Sequence, residues 1–261
     1  MKTLSGRRRF LAVGAGLACS AWAGAQELKI VRPRATSGDD QIEPDWKERL
    51  TITVGPKKAD VVGSGDKAIQ AAVDYVARLG GGTVRVLPGE YRLRNSVFLA
   101  GKVRLVGSGD DSVLIKEPSR STTLADDSDW YDQEITLTDP AGFEVGDGVC
   151  LRTKNPHNGG LDVLKRKLVA RSGNRFKLDK ALRQNFWLGQ NAVCSSLFPL
   201  VTAENAVDLA VENIALDGNG KNNELLDGNY AGCLFFQDCL RIAMRGVTAR
   251  NYHGDGISWQ I

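Results

Sequence analysis

Residues 59–116 read ADVVGSGDKAIQAAVDYVARLGGGTVRVLPGEYRLRNSVFLAGKVRLVGSGDDSVLIK. Apolar residues at Ile69, Ala72, Val73, Val76 and Leu79 recur with helical spacing. Asp66 stands where an N-cap is expected and Gly80 where a terminating glycine is expected. After Gly80-Gly81-Gly82 the period changes to two: Val84 and Val86, Tyr91 and Leu93, Val97 and Leu99, Val103 and Leu105, Val113 and Ile115. Gly or Asn at 95, 101, 107 and 109 separates these short runs, and Pro88-Gly89 turns the chain. Strands this short suit a stack of strand coils better than a sandwich. The helix, with one apolar stripe, is expected to cover an open end of that stack.

The repeat continues further on. NAVDLAVENIALDGNG (205–220) lies over DCLRIAMRGVTARNYH (238–253) at an offset of 33. Val207 then matches Leu240, Leu209 matches Ile242, Val211 matches Met244 and Ile214 matches Val247. Asn213 and Gly246 fall at one corner. Repeats that cannot bury their own apolar face alone must stack. Chance alternation in a sandwich, or a meander, are the other architectures with such a pattern. Between the two repetitive parts, about 118–199, the texture differs. ITLTDPAGFEVGDGVCLR (135–152) and FKLDKALRQNF (176–186) read as a hairpin-rich β insertion. Residues 26–56, with Pro33, Pro44 and Pro56, read as an extended arm or linker with one strand at Leu50–Val54.

The first 25 residues read as an export signal, of twin-arginine or ordinary Sec type. Arg7-Arg8-Arg9-Phe10-Leu11 fits the twin-arginine pattern R-R-x-F-L, an Ala/Gly-rich apolar run follows, and Ala23-Gly24-Ala25 fits an A-x-A cleavage site. The expected location is the periplasm or the cell exterior. The whole chain has 34 basic and 31 acidic residues, but four of the basic ones lie in this segment. The mature part is left with one net negative charge, so nucleic-acid binding has no electrostatic footprint. No later run is long and apolar enough to span a membrane. Cys150, Cys194, Cys233 and Cys239 remain after cleavage. Export of a protein already folded in the cytosol favours reduced, buried thiols over disulfides.

Residues 59–117 resemble the N-terminal segment of the pectate-lyase-like, right-handed parallel β-helix superfamily. The likeness rests on Asp66-Lys67-Ala68-Ile69-Gln70-Ala71-Ala72, the glycine run at 80–82, Pro88-Gly89-Glu90-Tyr91 and Val103–Gly109. It covers about a quarter of the chain. Relatives carry a longer glycine- and aspartate-rich run before the helix, where this chain has only Val61–Asp66. Asn251-Tyr252-His253-Gly254-Asp255-Gly256-Ile257 is similar to turns of polygalacturonase-like and epimerase-like members, but the paired-Asp, Gly-His-Gly and Arg-x-Lys motifs are absent.

The resemblance implies an all-β fold: a right-handed parallel β-helix over 57–261 with an N-terminal capping helix and a small β insertion. It also implies an exported protein acting on an acidic polysaccharide, as lyase or glycoside hydrolase. A non-catalytic glycan-binding or cell-surface module and a uronan epimerase are the alternatives. The chain stops at Ile261 inside the alternation Ile257, Trp259, Ile261. The expectation is a C-terminally truncated member, with further coils and much of the groove beyond that residue.

Sugar chemistry needs carboxylates facing one groove. The candidates are Asp217, Asp255, Arg250 and His253. The offset puts Asp217 beside Arg250, with Asp255 a few residues on. With strands about 4.8 Å apart, these groups could share a face. His253 is one of two histidines and is the candidate base or proton shuttle. Asp-Gly and Asn-Gly are also ordinary turn pairs. Asp126, Asp127, Asp129 and Asp132 offer oxygen ligands for calcium, without EF-hand spacing. Trp130, Tyr131, Phe186 and Trp187 could stack on sugar rings or pack a core.

Overall fold

The computed structural model describes residues 43–260. The segment read as a targeting signal (residues 1–25), the arm through residue 42 and Ile261 lie outside the described residues. The described chain is mostly β, with parallel and antiparallel sheets. The first part holds β1 (Thr51–Gly55), β2 (Val61–Val62), α1 (Asp66–Arg78), β3 (Gly82–Val86), β4 (Gly89–Leu93), β5 (Val97–Phe98) and β6 (Val103–Lys116). The middle holds β7 (Ser121–Thr123), β8 (Glu134–Thr136), β9 (Gly148–Lys154), β10 (Leu161–Ser172), β11 (Arg175–Leu178) and β12 (Val193–Ser195). The last part holds β13 (Val201–Glu204), β14 (Val207–Asp217), β15 (Leu234–Gln237), β16 (Leu240–Arg250) and β17 (Ile257–Gln260).

The outer parts build two parallel sheets. One has the order β16-β14-β6-β3-β1-β2, with β4 also on β6; the other has the order β17-β15-β13-β5. Strand β14 pairs with β16 at the 33-residue offset, with Val207 opposite Leu240 and Ile214 opposite Val247. Corners repeat with the strands. Asn205 and Asp238 share a left-handed φ near +51°, and Asn213 (+47°) matches Gly246 (+61°). Lys102, Asp208 and Arg241 occupy a third such column, at +62°, +63° and +53°. Asp208 accepts from Arg241 Nε at 2.7 Å, so an ion pair ties two neighbouring corners.

Helix α1 buries Ile69, Ala72, Val73 and Val76 in the same core as Val54, Val84 and Leu105. Asp66 is not its N-cap. Gly65 takes that place without a side-chain bond, and the Asp66 carboxylate accepts from the Arg94 backbone N–H at 3.1 Å. The tertiary partner competes successfully with the local one. The glycine run is explained by close approach. A Cβ on Gly81 would lie 2.2 Å from the Lys102 carbonyl oxygen, and one on Gly82 2.4 Å from that of Leu50. Only glycine lets the helix end meet both strands.

The middle part forms an antiparallel sheet, β7-β12-β9-β10-β11-β8, around its own core of Phe143, Leu151, Leu168, Phe176 and Phe186. A bidentate pair fixes it to the parallel part: Arg94 Nε and Nη2 meet the buried Asp147 at 2.7 and 2.8 Å. Cys150, Cys194, Cys233 and Cys239 are free thiols. Among the described residues no helix is long and apolar enough to cross a membrane.

Candidate functional site

Alternation along the parallel strands sorts their side chains between two faces. Val97, Val201 and Leu234 point into the core, as do Leu99, Ala203 and Phe236. The intervening positions face outward. Register aligns Phe98, Thr202, Phe235 and Ser258 in one row, and Glu204, Gln237 and Gln260 in the next.

Strand β10 of the antiparallel sheet faces these rows. Its own alternation sends Leu164 and Leu168 into the insertion core and turns Lys165 and Lys167 the other way. Lys167 Nζ lies 3.7 Å from the Phe98 ring centroid, and Lys165 Nζ 3.9 Å from that of Phe235. Neither ammonium has a hydrogen-bond or ion-pair partner among the described residues. Arg166 between them is committed differently: its guanidinium donates to the carbonyls of Lys180, Ala181 and Leu182.

A cavity of about 390 Å³ lies here, lined by Phe98, Thr202, Glu204, Lys165, Lys167 and Tyr230, among others. A second, of about 420 Å³, shares Lys165 and Tyr230 with it and adds Asp255, Phe235, Gln237 and Gln260. Burial pulls the Lys165 ammonium below its ordinary range, opposed in part by Glu204. The carboxylates of Glu204 and Asp255 accept no hydrogen bond and enter no ion pair among the described residues. Beneath Tyr230 the buried Lys116 donates to the carbonyls of Ala231 and Gly232, which fixes the loop leading into β15. Burial lowers its pKa to about 8.

Of the four residues nominated from sequence, Asp217 and Arg250 come together. They are register partners, and Arg250 Nε meets Asp217 Oδ2 at 3.1 Å. That carboxylate also accepts from the Asn219 N–H at 2.9 Å and the Asn251 amide at 3.0 Å. His253 Nε2 lies 2.8 Å from the Gly220 carbonyl oxygen, so this nitrogen carries the donated proton. Asp255 lies instead in the cavity beside Lys165, which is lined by none of the other three.

Asp127, Asp129 and Asp132 accept hydrogen bonds from Leu188 N, Trp187 Nε1 and Asp129 N, each at 2.7 Å. Among the described residues no group of three or more His, Cys, Asp or Glu side chains is arranged to hold a metal ion, calcium included. Phe186 is core, whereas Trp130, Tyr131 and Trp187 are exposed. Sequence reasoning missed Lys165, Lys167, Glu204, Phe98 and Phe235. The one available signal was the Lys165-Arg166-Lys167 run inside an alternating apolar segment, which places two cations on one strand face.

No known protein family matches the chain. No curated protein matches it either. Among solved structures it is similar to the tailspike of Pseudomonas phage phi297, at 12% identity and TM-score 0.32 over 74% of this chain and 37% of that one. It is similar to the tailspike of Acinetobacter baumannii bacteriophage AP22, in complex with A. baumannii capsular saccharide, at 13% identity and TM-score 0.31, over 73% of this chain and 43% of that one. A proposed glycosyl hydrolase from Parabacteroides merdae matches at 14% identity and TM-score 0.38, over 76% of this chain and 65% of that one. The chain therefore spans 37%, 43% and 65% of the lengths of these three proteins.

Proposed function

We propose that the chain is an exported, right-handed parallel β-helix protein that acts on an acidic polysaccharide in the groove between β10 and the outward rows of the β5-β13-β15-β17 sheet. Helix α1 would cap its first coil, and residues 118–199 would form the insertion. The helix reading is supported by the 33-residue register of β14 on β16 and by the matching left-handed corners. The right hand follows from the general chirality of parallel crossovers. Export, to the periplasm or beyond, rests on Arg7–Leu11 and Ala23–Ala25.

One observation carries the choice of ligand. Lys165 and Lys167 present two ammonium groups to a cavity, and neither forms an ion pair with a described side chain. Half-buried cations of this kind suit an anionic ligand. Glu204 and Asp255 are the carboxylates free for acid–base work beside them. A purified protein incubated with a panel of uronate-containing polymers should release reducing ends if it hydrolyses, or unsaturated ends absorbing in the ultraviolet if it eliminates. Glu204→Gln and Asp255→Asn should each lower that rate by about 10²-fold or more. Unchanged rates in both variants would remove these residues from the chemistry.

A second reading is favoured by one contact. Asp217, a carboxylate nominated for catalysis, is engaged by Arg250, Asn219 and Asn251. A non-catalytic glycan-binding module would show binding to the same polymers with no new chain ends.

A further inference from the structure

The two adjoining cavities differ in charge. Lys165, Arg166, Lys167 and Lys180 line the first against Asp179 and Glu204, a surplus of two positive charges. The charged residues lining the second are Lys165 and Asp255, one of each sign. A site without net charge gives an anion no general preference.

The second cavity offers amides instead. Asn229, Gln237 and Gln260 line it. Asn229 is only 9% exposed, yet its side-chain amide makes no hydrogen bond among the described residues. Polar groups so deeply buried are normally paired, and an unpaired one calls for an explanation. Gln237 and Gln260 are register partners on β15 and β17, and their side-chain amides are likewise without a partner among the described residues.

The backbone around Asn229 is held on both sides. The Gly228 carbonyl accepts from the Asp255 N–H at 2.9 Å, and a Cβ on Gly254 would lie 2.3 Å from that oxygen. Beyond Tyr230, Lys116 donates to the carbonyls of Ala231 and Gly232. The cavity wall is thus built in advance of any ligand, which lowers the ordering cost of binding.

Each of these amides presents both donors and an acceptor. A sugar hydroxyl donates and accepts, so it can satisfy either half. A carboxylate only accepts, and in this cavity it would meet Asp255. We infer that the second cavity binds an uncharged, hydroxyl-rich sugar unit through Asn229, Gln237 and Gln260, next to the acidic unit held by Lys165 and Lys167. The inference rests on the saccharide reading proposed above and deepens it: the ligand joins a neutral sugar to an acidic one.

The test follows nuclear magnetic resonance signals of the ¹⁵N-labelled protein. Methyl glycosides of glucose, galactose and N-acetylglucosamine are added in turn, then glucuronate and galacturonate. A neutral glycoside should shift the side-chain amide signals of Asn229, Gln237 and Gln260. The uronates should shift the backbone signal of Lys167, which lines the first cavity. Asn229→Leu, checked for native circular dichroism, should weaken the neutral sugar about tenfold as read at Gln237 and Gln260. Gln237→Leu, at an exposed position, should weaken it as well and serves where the Asn229 variant fails to fold. Neutral glycosides that leave all three amides unmoved, or that bind both variants as tightly as the parent, would overturn the subsite. A uronate response at Lys167 would then leave the acidic reading standing. The reverse pattern, with the amides responding and Lys167 silent, would keep the neutral-sugar site and overturn the acidic reading.

Discussion

The parallel stack and the antiparallel insertion solve the same packing problem in different ways. In the stack, each strand pairs with a neighbour one repeat away, and one rule of alternation and corner is used again at every turn of the chain. Strand β14 lies on β6 on one side and on β16 on the other, and all three feed a continuous core. In the insertion, β9, β10 and β11 pair through hairpins and close around three phenylalanines. The stack supplies outward rows of side chains, and the insertion places Lys165 and Lys167 over two rings in them. A groove exists because β10 belongs to one body by its leucines and to the other by its lysines.

The largest expected effect tests whether these cores are energetically separate. Phe176 is fully buried in the insertion and Leu105 in the stack. Phe176→Ala should cost about 4 kcal/mol and Leu105→Ala about 3 kcal/mol. Peptide-resolved amide hydrogen exchange should show the first loss confined to residues 148–178 and the second spread through β3, β6 and β14. Equal loss of protection in both regions after Phe176→Ala would mean that the two cores form one cooperative unit, and the distinction would fail.

A smaller effect is expected at the joint. Arg94 is the bidentate partner of Asp147, which is only 2% exposed. Arg94→Ala leaves that carboxylate with only the Glu144 backbone N–H and should cost about 3 kcal/mol in a urea titration. Asp147→Asn removes the buried charge along with the pair and should cost less. If the two variants match, the guanidinium contributes through packing alone.

These contrasts also explain what could be read from the sequence. The stack was legible because its rule is local and repeated. Val207 and Leu240 pair at the offset that aligns their apolar patterns, and Asn213 and Gly246 mark their corner chemically. The Asp217–Arg250 contact followed from the same register, and the structure makes it an ion pair that Asn219 and Asn251 also join. The N-cap reading of Asp66 failed because its carboxylate is claimed by Arg94, a residue 28 positions away. The groove was illegible for a related reason. Phe98 and Phe235 look like any alternating strand residues, and nothing in their neighbourhoods announces that a strand from the insertion will place lysines over them. Alternation says which side chains share a face, whereas the meeting of two faces depends on how two bodies dock.

Lys116 sits where the two bodies meet, and it gives the smallest effect and the sharpest sign. It ends β6 of the stack, donates to Ala231 and Gly232, and packs beside Phe198. Its folded-state pKa is lowered to about 8 by burial, against an ordinary value of 10.5. Above pH 8 the native state therefore gives up this proton while the unfolded chain keeps it. The unfolded state then binds more protons, and stability rises with pH, by about 1 kcal/mol between pH 8 and 9. The thiols act in the opposite sense. Burial raises Cys150 and Cys233 from 9.0 to about 11, so the unfolded chain loses those protons first and stability falls from about pH 9 upward. Cys194 is raised by burial in the same sense, and the opposing slopes predict a stability maximum at alkaline pH in urea titrations. Lys116→Met should reduce the rise above pH 8 to the part that Lys165, also held down by burial, contributes, and leave the fall from the thiols. A rise undiminished by the substitution would show that the lysine joining the two bodies keeps its charge when buried.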